Sequence, residues 1–208
     1  NGVRNPLQGA FAGKVFNPVS LFEKFPLSVE DRIKKVPDGA GGVNEEKIKF
    51  PVWFVPEATG GTPMKEALKV AAIELATWCD NHSDSYPPTV LHVTDGESSD
   101  GDPESIAEQM GQLSTNDGSV LLFNLHTSDE GVRPIQFPVS EDEITDIHGK
   151  SLFRMSSILP EGVSLAAREK GYSVADKSRG FFFNVEPIEI VDFFDIGTRA
   201  SSQSMQLR

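Results

Sequence analysis

The sequence predicts an α/β fold, a three-layer sandwich with a mostly parallel sheet and helices on both faces. Three observations carry that prediction. Apolar, β-branched runs alternate with amphipathic segments in the order strand, helix, strand, helix, strand, helices, strand, helix. Alternation of this kind implies parallel strands joined by right-handed crossovers. The run Ser119–His126 (SVLLFNLH) is almost continuously apolar, as suits a strand covered on both faces. A second run, from Thr89, ends abruptly in Thr94-Asp95-Gly96-Glu97. That delivers a carboxylate to the carboxyl edge of the sheet, where open α/β sheets place their ligands.

Bulk properties narrow the classes. The 208 residues suit one domain, 1–208, with a substantial core, and 38% hydrophobic with 24% charged residues is ordinary for a globular chain. A formal net charge of -12, from 31 acidic and 19 basic residues, repels nucleic acid and anionic membrane surfaces. It favours cations or basic protein surfaces, although surplus acidity is most simply a solvated exterior. The single Cys79 excludes an internal disulfide and sits on the apolar side of a predicted helix, as an inert buried thiol would. No apolar run is long enough to cross a bilayer and no charged-then-apolar leader opens the chain, so no membrane insertion and an intracellular, cytoplasmic setting are expected.

Residues 1–48 read as an irregular insertion or connection, punctuated by Gly2, Pro6, Gly9, Gly13, Pro18, Pro26, Pro37, Gly39, Gly41 and Gly42. Within them, Ser28 followed by Glu30, Asp31 and Arg32 marks a short helix ending near Val36. Lys49–Val55 (KFPVWFV) is a strand, with Pro51 pointing to an edge or a strand start. Thr62 makes a good N-cap and Pro63 a good first helical residue, because proline lacks the N–H that would go unpaired there. Met64, Leu68, Ala71, Leu75 and Trp78 then recur at helical spacing to about Cys79. After the loop NHSDSYPP comes the strand from Thr89. Asp102-Pro103 repeats the cap-then-proline signal before Ile106, Met110 and Leu113, and Asn116-Asp117-Gly118 turns the chain into Ser119–His126. Beyond a loop through Pro134 and Pro138, Ser140 and Glu143 form a capping box for a helix through Ile144 to Leu159, interrupted near Gly149. Pro160 opens another helix to about Gly171, Gly180–Val185 is a strand, and Pro187 begins a last helix bearing Ile190, Val191, Phe194 and Ile196. Residues 199–208 carry no pattern and are expected to be a disordered tail.

Thr62 and Asp95 are the candidate metal ligands. One follows a strand in a loop, the other ends the next strand, and hard cations such as Mg²⁺ take oxygen donors in octahedral array while keeping several waters. The plainer alternative makes Thr62 a helix cap and Asp95 a turn residue before Gly96. An EF-hand reading of Asp95, Glu97, Asp100 and Asp102 fails, since Asp100 stands where that loop needs glycine. Gly162-Val163-Ser164-Leu165-Ala166 imitates a nucleophile elbow but lies inside a helix. His82, His92, His126 and His148 lack zinc spacing, and Gly39–Gly42 has no following Lys-Ser/Thr and so is no phosphate loop.

GGTPMKEAL followed by VLHVTDGESSDGD resembles the second and third parts of the metal-ion-dependent adhesion site of von Willebrand factor A domains. The likeness in element order runs from about Lys49 to Thr198, and is closest to bacterial, intracellular-type members with a long insertion before the GGTP helix. The resemblance implies a Rossmann-like fold and a protein-binding module. In such a module Thr62 and Asp95 help hold Mg²⁺ (or Mn²⁺ or Ca²⁺), Glu97 shapes the rim, and an acidic side chain of a protein partner completes the coordination. The family's first motif, Asp-x-Ser-x-Ser, is not found. Its nearest string, Asp176-Lys177-Ser178-Arg179-Gly180, lacks the last serine and precedes a strand instead of following one. The abrupt opening at Asn1 favours an N-terminal strand, loop and helix outside this sequence over loss of the site. Two alternatives stand beside this reading: a metal-assisted hydrolase using Asp95 and Glu97, and a metal-free interaction domain.

Overall fold

A computed structural model describes residues 2–37, 39, 42–57, 60–127, 133–185 and 187–206. Outside them lie residues 40 and 41 of the Gly39–Gly42 segment, 58 and 59 of the loop before Thr62, 128–132 of the loop before Pro134, and 207–208 of the expected tail. The contacts group the chain into two compact units, Asn1–Gly60 and Gly61–Arg208.

In the first unit a single turn of helix, α1 (Val19–Phe22), precedes two long strands, β1 (Ser28–Pro37) and β2 (Val43–Val52). They pair antiparallel from Ser28 opposite Val52 to Pro37 opposite Val43. The short helix expected from Ser28 is therefore a strand, because long-range pairing overrides the local charge pattern. Lys49 reaches Asp31 across the ladder at 2.6 Å, and the Arg32 guanidinium lies 3.7 Å over the Phe50 ring. The expected strand Lys49–Val55 stops at Val52 and belongs to this hairpin, not to a parallel sheet. Trp53 leaves it to donate its indole N–H to the Phe22 carbonyl at 2.8 Å, with the Phe22 ring stacked on Phe11.

The second unit is mixed α/β. Its elements are α2 (Met64–Asn81), β3 (Thr89–Thr94), α3 (Glu104–Gln112), the two-residue strands β4 (Ser114–Thr115) and β5 (Gly118–Ser119), and β6 (Leu121–His126). There follow β7 (Ile135–Gln136), α4 (Ile147–Met155), α5 (Glu161–Glu169), β8 (Phe181–Phe183) and α6 (Pro187–Gln206). The four-stranded sheet has the order β3-β6-β8-β7. β3, β6 and β8 run parallel, Thr89 opposite Leu121 and Asn124 opposite Phe181, while β7 pairs antiparallel with β8.

Strand periodicity sends alternate side chains to two cores. Val90, Leu122, Phe181 and Phe183 meet α2, α3 and α4 on one face; Leu91, Phe123, Leu125 and Phe182 meet α5 and α6 on the other. β6 is buried along its whole length, which accounts for its continuous apolar run. The start of α4 differs from expectation. Ser140 starts a turn, its hydroxyl bonded to Asp142, and α4 begins at Ile147 because the Asp146 carboxylate accepts from Gly149 N–H. α6 runs from Pro187 to Gln206. Among the described residues no helix is long and apolar enough to cross a membrane.

Candidate functional site at the carboxyl end of β3

Thr94 closes β3 as a buried residue, and its hydroxyl accepts from Gly96 N–H at 3.3 Å. That local turn puts Asp95 on the surface at the carboxyl edge, as the sequence predicts. The loop then folds back over the start of α2. Ser99 N–H donates to the Thr62 carbonyl at 2.8 Å, and Met64 N–H donates to the same oxygen at 2.8 Å. Gly61 lies so close to Ser99 that a Cβ there would stand 2.7 Å from Ser99 Oγ. The GGTP and TDGESSD stretches are thus held together by one main-chain bond, from Ser99 to Thr62.

The cap of α2 comes from that loop. The helix starts at Met64, one residue later than Thr62 as N-cap requires, and the Thr62 hydroxyl makes no cap bond. Instead Asp100 accepts from Lys65 N–H at 3.0 Å and from Glu66 N–H at 2.8 Å, while Ser98 Oγ donates to it at 2.8 Å. A carboxylate at this position meets the positive end of the helix dipole. Desolvation pushes the Asp100 carboxyl up, but the bonds from Glu66, Ser98 and Lys65 outweigh it and hold the group below the usual carboxylate range. Asp102 caps as expected, accepting from Glu104 N–H at 2.9 Å.

Of the two sequence-predicted ligands, Thr62 is half-buried and Asp95 exposed. Among the described residues neither the Thr62 hydroxyl nor the Asp95 carboxylate has a protein partner, and no group of three or more His, Cys, Asp or Glu is placed to hold a metal ion. Glu97, the expected rim residue, lies 3.8 Å from His148 Nε2, an ion pair when the imidazole is protonated. Both line a cavity of about 310 Å³ with Met64, Asp102, Ile147 and Arg154. Arg154 forms its wall, bonded to Glu104 through Nε at 3.1 Å and to Glu141 through Nη1 at 3.0 Å. The hydrogen bond from Arg154 is the main cause holding Glu104 below the ordinary carboxylate range.

Asp100, His148 and Arg154 have site positions that sequence reasoning did not assign. For Asp100 a signal existed: a helix whose own threonine fails as a cap needs an acceptor from elsewhere, and an acidic loop follows the next strand. No local signal points to His148 or Arg154, which arrive through the packing of α4.

Below the site, Asn124 Oδ1 and His92 Nδ1 are 2.8 Å apart, and Asn124 Nδ2 donates to Ser156 Oγ at 2.9 Å and to the Leu152 carbonyl at 3.2 Å. Burial lowers the His92 pKa, the Asn124 bond opposing it in part. His92 is thus a packed, hydrogen-bonded residue of the sheet. A larger cavity, about 650 Å³, lies beside β7 at the opposite edge, lined by Phe137, Tyr172 and Ser178 among others. No protein-family model, curated protein or solved structure matches the chain.

Proposed function

We propose that this chain is a von Willebrand factor A-like protein-binding module with a Rossmann-like three-layer sandwich, and that its site lies between the GGTP and TDG loops. The observation that carries the proposal is a pair of oxygens without a partner among the described residues, the Thr62 hydroxyl and the Asp95 carboxylate, on two loops tied together by the Ser99–Thr62 bond. In kind these donors fit a hard cation such as Mg²⁺, Mn²⁺ or Ca²⁺. In number they do not complete one, so water and an acidic side chain of a protein partner would supply most of the coordination. Thr62 and Asp95 would hold the ion, and the ion would supply the positive charge that attracts the partner's carboxylate. Glu97 and His148 at the rim would then bear on which partner segments fit. Weak metal binding is the consequence of so small a donor set.

Calorimetric titration of Mn²⁺ into the chain and into an Asp95→Ala variant tests this directly. A small heat in the native chain that vanishes in the variant is the expected outcome. Equal, negligible heats in both would leave Thr62 and Asp95 as structural residues of a metal-free domain.

A further inference from the structure

Thr62 and Asp95 take no part in lining the cavity of about 310 Å³ beside the TDG loop. Its volume is at the lower end of small-ligand cavities, about 300–1,000 Å³, and suits one group of side-chain size. Met64 and Leu152, 4% and 1% exposed, make its floor apolar, and Ile147, 71% exposed, carries that apolar surface to the mouth. Two exposed carboxylates line the same space. Asp102 Oδ1 accepts from Glu104 N–H at 2.9 Å, and among the described residues its Oδ2 has no partner. Glu97 has His148 Nε2 at 3.8 Å, a counter-charge only when the imidazole is protonated. Arg154 is closed to an anion, because it already holds Glu104 through Nε at 3.1 Å and Glu141 through Nη1 at 3.0 Å. No lysine lines the cavity. Apolar contact is therefore offered at the floor and uncompensated negative charge at the mouth, in a chain whose formal net charge is -12.

We propose that this cavity is a binding site for a guanidinium group on an alkyl stem, as an arginine side chain or a free alkylguanidine presents it. A metal ion gains nothing from Met64 and Leu152. An anion or a neutral apolar group would leave Glu97 and Asp102 to lose water without a partner. An alkyl stem covers the floor while its charged head stays at the rim, as long cationic side chains do elsewhere. Guanidinium suits that head better than ammonium. It is more weakly hydrated, and its planar fork carries five donors, enough for the free oxygens of both carboxylates. Because Thr62 and Asp95 stand outside, this site and the divalent-cation site survive or fail separately.

Methyl NMR titration of the full chain tests it, in mildly alkaline buffer with EDTA, so that neither protonated His148 nor a divalent cation competes. The probes are butylguanidinium and an end-blocked pentapeptide with a central arginine. Both should shift the Met64 and Ile147 methyl signals saturably in the millimolar range. Glu97→Gln and Asp102→Asn should each weaken binding about tenfold or more, the second keeping an acceptor for Glu104 N–H. His148→Lys, which fixes a cation beside Glu97 and leaves both carboxylates in place, should do the same. Asp95→Ala should leave binding within about threefold, since its charge is screened and outside the cavity. Citrulline in place of the peptide arginine, alike in shape but uncharged, should abolish the shifts. Unchanged urea midpoints of the variants separate lost binding from lost folding. A peptide that binds about tenfold more tightly than butylguanidinium assigns the site to an arginine side chain, and equal affinity assigns it to a free alkylguanidine; either supports the site. Four results overturn it: no saturable shift with either probe up to about 10 mM, binding unchanged in Glu97→Gln or Asp102→Asn, an equal loss in Asp95→Ala, which would mark general attraction to an acidic surface, and citrulline binding as tightly as arginine.

Discussion

Replacing Gly180 by alanine would place a methyl group inside the Phe123 ring, with the new Cβ 2.1 Å from Cδ1, 2.5 Å from Cγ and 2.7 Å from Cε1. Neither partner can retreat freely. Gly180 donates to the Ser157 carbonyl at 2.9 Å and accepts from Asn124 N–H at 2.8 Å, so its backbone is part of the sheet network. Phe123 is buried in the cluster containing Leu121, Phe182 and Phe193. Turning the ring off its rotamer costs about 0.5–1.5 kcal/mol, and overpacking in such cores costs about 1–3 kcal/mol in all. Three contacts this close put Gly180→Ala in the upper half of that range. Urea unfolding measures it, followed by Trp78 fluorescence in a Trp53→Phe background, because Trp78 lies in residues 61–208 and Trp53 in 1–60. The midpoint should fall with the slope unchanged. In a Phe123→Leu background the smaller side chain yields, and the same substitution should cost about 1 kcal/mol less. Equal costs in the two backgrounds, within about 0.3 kcal/mol, would refute the steric account.

Two further outcomes follow from the site and the buried network. Asp100→Ala should speed exchange of the Lys65 and Glu66 amides specifically, whereas Asp100→Asn, which keeps one acceptor oxygen, should speed them less; unchanged exchange in the alanine variant would remove Asp100 as the cap of α2. His92 should make stability fall on acidification. Its folded pKa is lowered, so the unfolded chain takes up the proton first. Its contribution is complete above the unfolded value of about 6.5 and is lost as pH falls below it, by no more than about 1.4 kcal/mol per pH unit for one proton. Urea midpoints from pH 7.5 to 5.5 should therefore diverge between the native chain and His92→Gln; a constant offset would rule this out.

Parallel strands and amphipathic helices of residues 61–208 are legible because their patterns are local. The continuous apolar run of β6 and the helical spacing of Met64, Leu68 and Leu75 each state their burial directly. β1 is illegible for the opposite reason. Its partners are in β2, and the pairing of Asp31 with Lys49 leaves no trace in the run Ser28–Pro37 itself. Ser140 and Glu143 have the letters of a capping box, but Ser140 bonds Asp142 and the helix waits for Asp146. At the site, the sequence places Asp95 and Asp102 where the structure has them. It assigns the cap of α2 to Thr62, however, when the acceptor comes from Asp100, some 34 and 35 residues beyond the donors. Capping across a loop is a tertiary contact, and no spacing rule within one helix reports it.

That borrowed cap gives the start of α2 and the loop after β3 a single mechanical fate. Asp100 grips the first free N–H groups of the helix while Ser99 holds Thr62 from the same loop. Anything that pulls the Asp95 turn outward must drag the amino end of an 18-residue helix with it or uncap that helix. The Leu68 and Leu75 side chains anchor the helix in the core. Small displacements at the sheet edge are therefore resisted, and a large one would be felt along the whole α2 flank of the domain.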